Sequence, residues 1–328
     1  MGSPKPGHST RPTDSEDEIV ERIRVLLGGG TPVLGLDDDC AVVALPGGGS
    51  VVVSVDSVVE GVHVDLDLCH PSDVGWKGLM RAASDLAAMG ATPVGALVAL
   101  CIPSGATHGA ASVSVMEGVA EAARAIGCPV VGGDVSSGPS LVVSVTVLGS
   151  AEGGVQPLVH RSGAGAGDGL YVTGPCGASA AGLRLLRRGD LGEGAGAGVY
   201  AAAAAYRRPW ARLEEGLAAR EAGAKAMIDI SDGLALDLHR LADRSHLGFA
   251  LDEVPLAPEA TEDEALGGGE DYELLVAMDP SHAAGYERRC ADAGLRPPVR
   301  IGTLVGDITS RTWRGAPVGR LGWQHEIG

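Results

Sequence analysis

Apolar positions recur along this chain at two periods, near 3.6 and near 2, and each change of period marks an element boundary. Ser15-Glu-Asp-Glu18 has the form of a capping box, and Ile19, Val20, Ile23, Leu26 and Leu27 follow at helical spacing until Gly28-Gly-Gly30 ends the helix. The run VLGLDDDCAVVAL at 33–45 then opens the first strand region, and SVVVSVD at 50–56 is a β-branched strand ending on Asp56. Val58–His63 continues it as a loop or short strand. SDVGWKGLMRAASDLAAMG at 72–90 starts at a cap residue, Ser72, and stops at Gly90, which predicts a helix. Its apolar face is Trp76, Leu79, Met80, Ala83, Leu86 and Ala87, while Lys77, Arg81 and Asp85 fall at i, i+4 and i+8 on another.

The pattern continues with a strand at 94–102, a helix at 110–127, a short strand at 129–131, a turn at Gly132-Gly133-Asp134 and an alternating strand at 141–149. After the Gly-rich break AEGGVQP at 151–157 come a strand at 169–174 and helices at 177–187, 195–206 and 210–222. A strand ending in Ile228-Asp-Ile-Ser-Asp-Gly233 leads to a helix over 234–245. Strands near 248–253 and 273–278, a helix over 281–294 and a strand at 298–304 complete the series. Interleaved helices and strands predict an α/β (α+β) fold in two domains, 15–153 and 154–328, behind a disordered tail at 1–14.

Composition sharpens this reading. Gly is 51 of 328 residues, against an ordinary ~7%, while aromatic residues are 3%, so Ala, Val and Leu must fill the cores. A net charge of −17 excludes the basic footprint that nucleic acid or an anionic membrane surface requires. None of Lys5, Lys77 and Lys225 stands in a Gly-x-x-x-x-Gly frame, so a phosphate-binding loop of Walker type is absent. The six cysteines form no C-x-x-C pair and read as buried, reduced thiols. No apolar run approaches the ~20 residues of a membrane span, and the expected location is cytoplasmic.

Asp37-Asp38-Asp39 is the anomaly in the pattern, three carboxylates wedged between apolar runs. Carrying an unpaired charge inward costs several kcal/mol or more, so the stretch is either an exposed turn or the seat of a cation. Other acids that end strands or open helices beside Gly or Ser are Asp56, Asp85, Asp134, Asp229, Asp232 and the pair Glu270-Asp271. Each alone is more often a helix cap or turn residue than a ligand. Together they offer the oxygen ligands of a hard divalent cation, with phosphates and water completing its shell. Gly132-Gly133 and Gly267-Gly-Gly269 let backbone N–H groups approach phosphate oxygens. The combination points to a nucleotide bound through metal.

The ordered segments GLDDDCA, SVDSVVEGVHV, ASDLAAMGA, GGDVSSGP, HRSGAGAGD, DISDGLALDL and GGEDYELL resemble the thiamine-monophosphate kinase family from about residue 15 to the C-terminus. That family lies in the superfamily of aminoimidazole ribonucleotide synthetase and selenophosphate synthetase. The resemblance implies a homodimer whose N-terminal domains pool strands in an interface barrel, each carrying a C-terminal α/β domain. It implies ATP-dependent phosphorylation of thiamine monophosphate to thiamine diphosphate, with ATP and several Mg²⁺ ions in the cleft and no nucleic-acid or membrane partner. On this resemblance Asp39, Ser54, Asp56, Asp85, Asp134, Asp229 and Asp232 correspond to magnesium ligands. Gly133, Asp134, Arg161 and Ser231 correspond to nucleotide contacts, with Arg161 among the catalytic residues beside Asp39, Asp56, Asp85 and Asp134. His63, Glu270 and Trp323 correspond to contacts with the thiamine phosphate. The chain departs from the family pattern at Asp37 (usually Gly), Val55 (Thr), Ala82 (Asn) and Val135 (Thr). The rival expectations are a sister ATP-dependent activity of the superfamily and a decayed nucleotide-binding sensor or scaffold.

Overall fold

In the computed structural model, which describes residues 16–27, 38–104, 108–151 and 157–325, the β-branched segments of the first half pair into one five-stranded sheet. Its strands are β1 (Ala41–Ala44), β2 (Ser50–Val59), β3 (Thr92–Pro103), β4 (Val130–Gly138) and β5 (Val142–Ser150), in the order β1-β2-β5-β3-β4. Neighbours run antiparallel except β3 and β4. The tail at 1–14, the cap Ser15, the stop Gly28–Gly30, Asp37 and most of the 151–157 break lie outside the described residues.

Alternation decides which face of this sheet is covered. Val143, Val145 and Val147 of β5 are fully buried, as period 2 requires of one face packed on helices. Those helices follow α1 (Glu16–Leu26): α2 (Pro71–Ala88) lies on β2 and β5, and α3 (His108–Ala125) lies on α2. The predicted apolar face of α2 is realised, with Leu79, Met80, Ala83, Leu86 and Ala87 at zero exposure, each fully buried Leu or Met contributing about 1.5–3 kcal/mol. Gly75 permits the α2–α3 contact, because a Cβ there would lie 1.8 Å from the Val115 carbonyl oxygen. Val55, Val131 and Val135, on β2 and β4, remain exposed.

The second half forms a seven-stranded sheet from β6 (Gly169–Val172), β7 (Ala226–Asp229), β8 (Gly248–Leu251), β9 (Leu274–Met278), β10 (Val299–Val305), β11 (Arg311–Trp313) and β12 (Ala316–Pro317). The order is β12-β11-β8-β10-β6-β9-β7. β6, β7 and β9 are buried along their whole length, packed against α6 (Leu213–Glu221), α7 (Leu234–Arg244) and α9 (Ala283–Asp292), while α4 (Ala178–Arg188) packs on α5 (Ala197–Arg207) and α8 (Glu262–Gly267). α2 also touches α6 and β7, so one helix belongs to both halves of the molecule.

Two local expectations change. Gly132-Gly133-Asp134 is no turn but the middle of β4, with Gly133 opposite Val98 and Asp134 opposite Ala99. A Cβ on Gly133 would lie 1.9 Å from the Val98 carbonyl oxygen, so this glycine serves a close strand approach. The cap of α2 is His70, not Ser72: its side chain accepts from the Ser72 amide, and Asp73 returns a bond to the His70 amide. α8, β11 and β12 were not expected from the apolar pattern.

Candidate metal centre and substrate cleft

The end of β7, the C-terminal half of α2 and the bend before β1 converge, and each brings one carboxylate. Oxygens of Asp39, Asp85 and Asp229 all lie within 4.8 Å of one another. Neighbouring hydroxyls and one guanidinium fix them: Ser54 Oγ donates to Asp85, Ser84 Oγ donates to Asp229 at 2.6 Å, and Arg161 Nη2 donates to Asp39 at 2.8 Å. Asp38 faces a different way, accepting from the Arg161 amide at 3.1 Å and lying 2.9 Å from His160 Nδ1.

Two buried carboxylates, Asp39 and Asp229, and the half-buried Asp85 share one guanidinium, so the cluster carries excess negative potential. Burial first, then the charges of Asp229, Asp39 and Asp56, push the Asp85 carboxyl well above the usual range. Burial and Asp39 push Asp229 up to about 8, and burial raises Asp39 despite Arg161. Asp39 Oδ2 is buried with no hydrogen-bond partner among the described residues. An orphaned carboxylate oxygen beside two crowded, destabilised carboxylates is the donor set that a hard divalent cation fits.

A second layer of charge lies along α2. Arg81 donates to both oxygens of Asp56, at 2.9 and 3.1 Å, and reaches Glu270 at 3.2 Å. Lys77, at zero exposure, donates to Glu270 at 2.7 Å and to the His63 carbonyl at 3.2 Å, with its ammonium 4.2 Å from the centre of the Tyr206 ring. Beyond Glu270 opens a cavity of about 480 Å³ whose lining includes His63, Asp65, Arg81, Tyr206, Glu270 and Trp323. His63 Nδ1 accepts from the Val59 amide, while Nε2 is buried without a partner among the described residues. Burial and the Arg81 charge lower the His63 pKa from 6.5 to about 4, which leaves the ring neutral. The rings of His63 and Trp323 stand 5.8 Å apart.

Of the expected site residues, Asp39, Ser54, Asp85, Asp229 and Arg161 come together at the first cluster. His63, Glu270 and Trp323 line the cavity, and Asp56 is held by Arg81 at its edge. Asp232 pairs with Arg240 outside the trio, its carbonyl accepting from the Trp323 amide. The Ser231 carbonyl accepts from the Glu270 amide at 2.7 Å. Gly133 and Asp134 sit on β4, three strand spacings or roughly 14 Å from β2 and outside both clusters. Sequence reasoning missed Ser84 and His160, whose partners lie in the other half of the chain, and gave no partners to Lys77 and Arg81.

Family models for the AIR synthase related protein match the chain over 37–151 (N-terminal domain) and 165–313 (C-terminal domain). Thiamine-monophosphate kinase of Mycobacterium tuberculosis (strain H37Rv) is 35% identical over 90% of this chain and 86% of the relative. That of Caulobacter vibrioides is 35% identical over 96% and 91%. The chain belongs to the thiamine-monophosphate kinase family. Among solved members, AaThiL complexed with AMPPCP and TMP is 29% identical with a TM-score of 0.82, covering 95% of this chain and 97% of that one. Thiamine-monophosphate kinase from Stenotrophomonas maltophilia is 30% identical with a TM-score of 0.74, covering 92% and 96%. The hydrogenase maturation protein HypE, at 19% identity and a TM-score of 0.65, shares the fold alone.

Proposed function

We propose that this protein phosphorylates thiamine monophosphate with ATP, giving thiamine diphosphate by direct in-line transfer. The observation that carries the reading is the adjacency of two unlike sites. A carboxylate trio with an orphaned oxygen shares helix α2 with Arg81, which holds Asp56 and Glu270 and lines a cavity of acid and aromatic groups. A cationic heteroaromatic ring carrying an anionic phosphate requires that second lining, and a metal-bound nucleoside triphosphate requires the first.

Asp39, Asp85 and Asp229 would hold Mg²⁺, with Ser54 and Asp56 as neighbouring ligands, while Asp134 on β4 and Asp232 in its pair with Arg240 would serve further ions outside the trio. Bound there, Mg²⁺ supplies charge neutralisation on the phosphoryl oxygens. The chain's own residues do the rest. The accepting phosphate, whose second pKa is about 6, is mostly dianionic near neutral pH, so no strong general base is required. Arg161 contributes a fixed cation on the nucleotide phosphates, and Gly133, Asp134 and Ser231 contact the nucleotide. Trp323 stacks on the thiamine, Glu270 complements its positive charge, and His63 contacts the phosphorylated ligand as a neutral ring.

Residues 15–153 are then the ATP, metal and dimerisation domain, and 154–328 complete the cleft. The exposed valines of β2 and β4 support pairing of two copies as a homodimer. Among the described residues no helix is long and apolar enough to cross a membrane, and we assign the enzyme to the cytoplasm. The test is chromatography of reactions containing ATP, Mg²⁺ and either thiamine monophosphate or thiamine. Thiamine diphosphate formed in step with ADP, and only from the monophosphate, supports the reading. ATP binding without that product supports a sister activity or a sensor instead.

A further inference from the structure

The charged row Lys77, Arg81, Asp85 along α2 is spaced so that its members lie on one face, and each member meets a different part of the cleft. Asp85 joins the carboxylate trio. Lys77 is fixed, fully buried over Tyr206 and held by Glu270 and the His63 carbonyl. Arg81 lies between them: its Nε and Nη2 hold the two oxygens of Asp56, whose charge acts on Asp85, and its Nη1 reaches Glu270. Its side chain is 13% exposed, and it lines the 480 Å³ cavity.

A guanidinium presents its donors in one rigid plane. Arg81 therefore cannot keep the two-pronged grip on Asp56 and also turn that edge toward an anion in the cavity. A divalent ion on Asp56 needs a carboxylate oxygen that Arg81 now occupies, and it repels the guanidinium at contact range. Both effects favour turning the Nε–Nη2 edge away from Asp56 into the cavity. Resting on the proposed function of this cleft, we propose that Arg81 is a binding residue that couples the two sites. When a divalent ion takes Asp56, Arg81 transfers its paired donors to the phosphate group of the cavity ligand, so ion and phosphate monoester bind cooperatively. The phosphate-free analogue, thiamine, gains nothing from the transfer.

Calorimetric titration of thiamine monophosphate and of thiamine, each with and without saturating Mg²⁺ and with no nucleotide, tests this. In the unaltered protein Mg²⁺ should tighten the monophosphate by on the order of tenfold and leave thiamine unchanged, with the monophosphate tightening Mg²⁺ by the same factor. In Arg81→Gln, Mg²⁺ alone should bind several-fold more tightly, thiamine should bind as before, and the coupling for the monophosphate should fall several-fold. Arg81→Lys, which keeps the charge without the planar fork, should give intermediate coupling and carries the test if Arg81→Gln does not fold. Wild-type coupling in the variants, or weaker Mg²⁺ binding in Arg81→Gln, would overturn the proposal. Failure of the unaltered protein to bind either thiamine compound would overturn the reading of the cavity as well, and so is distinguishable from failure of the coupling alone.

Discussion

Replacing Asp229 with Asn should stabilise the metal-free protein while removing its response to magnesium. Asp229 is 2% exposed and its carboxylate lies within 4.8 Å of those of Asp39 and Asp85. At an effective dielectric of about 20, two unit charges at that separation repel by about 3 kcal/mol, and the substitution removes two such pairs. Near neutral pH much of this repulsion is exchanged for proton uptake, since the carboxyl is pushed up to about 8 and is mostly protonated, which itself costs stability against the ionised unfolded chain, and Arg161 offsets more of it. A net gain of about 2 kcal/mol remains, with the amide oxygen still able to accept from Ser84 Oγ. At about 2–4 °C per kcal/mol for domains of this size, the melting temperature in a chelator should rise by about 4–8 °C. Saturating Mg²⁺ at about 100 times its Kd should stabilise the unaltered protein by about 2.7 kcal/mol and the variant far less. Calorimetric melts of both proteins, with chelator and with Mg²⁺, read all four states. A lower melting temperature of Asp229→Asn in chelator, or an undiminished Mg²⁺ shift, would refute the electrostatic reasoning.

Glu270→Ala should cost about 3–5 kcal/mol in urea unfolding, because Lys77 is fully buried and keeps only the His63 carbonyl and the Tyr206 ring. Adding Lys77→Met should recover much of that loss. His63 has a folded pKa of about 4 against an ordinary 6.5, so on acidification the unfolded chain takes up the proton first. Its contribution is fully present above about 6.5 and is lost as pH falls toward 4, and His63→Gln should flatten that limb of a stability–pH profile. Gly133→Ala sets a Cβ 1.9 Å from the Val98 carbonyl oxygen and should cost about 1–3 kcal/mol. It should also weaken self-association in sedimentation, because the displaced strand is β4.

Much of this architecture is legible from apolar period, because β-branched alternation and the 3.6-residue stripe of α2 report local burial directly. The acids were legible for a related reason: a carboxylate among apolar neighbours, such as Asp39 or Asp229, must be compensated. Which carboxylates meet is another matter, because Asp39, Asp85 and Asp229 are joined only when α2 packs against β7. The same limit hid Ser84 and His160, whose partners are 145 and 122 residues distant. It also left Arg81 as a charged face without a partner. β11 and β12 are three and two residues long and exist through pairing with β8 and each other, so no local signal announces them. α8 was readable, since Thr261 and Glu264 form a capping box. Gly132-Gly133 misled for a physical reason: glycine marks close backbone approach as often as reversal, and period alone does not separate the two.

Asp85→Asn tests the central claim most directly, since it leaves a residue of nearly the same shape within the trio. Thiamine diphosphate formation from ATP, Mg²⁺ and thiamine monophosphate should fall by about 100- to 1,000-fold, the loss typical of removing one electrostatic group from a phosphoryl- or acyl-transfer site, while thiamine monophosphate still binds. Product formed at the unaltered rate by Asp85→Asn would contradict the assignment of the trio as the centre of the reaction.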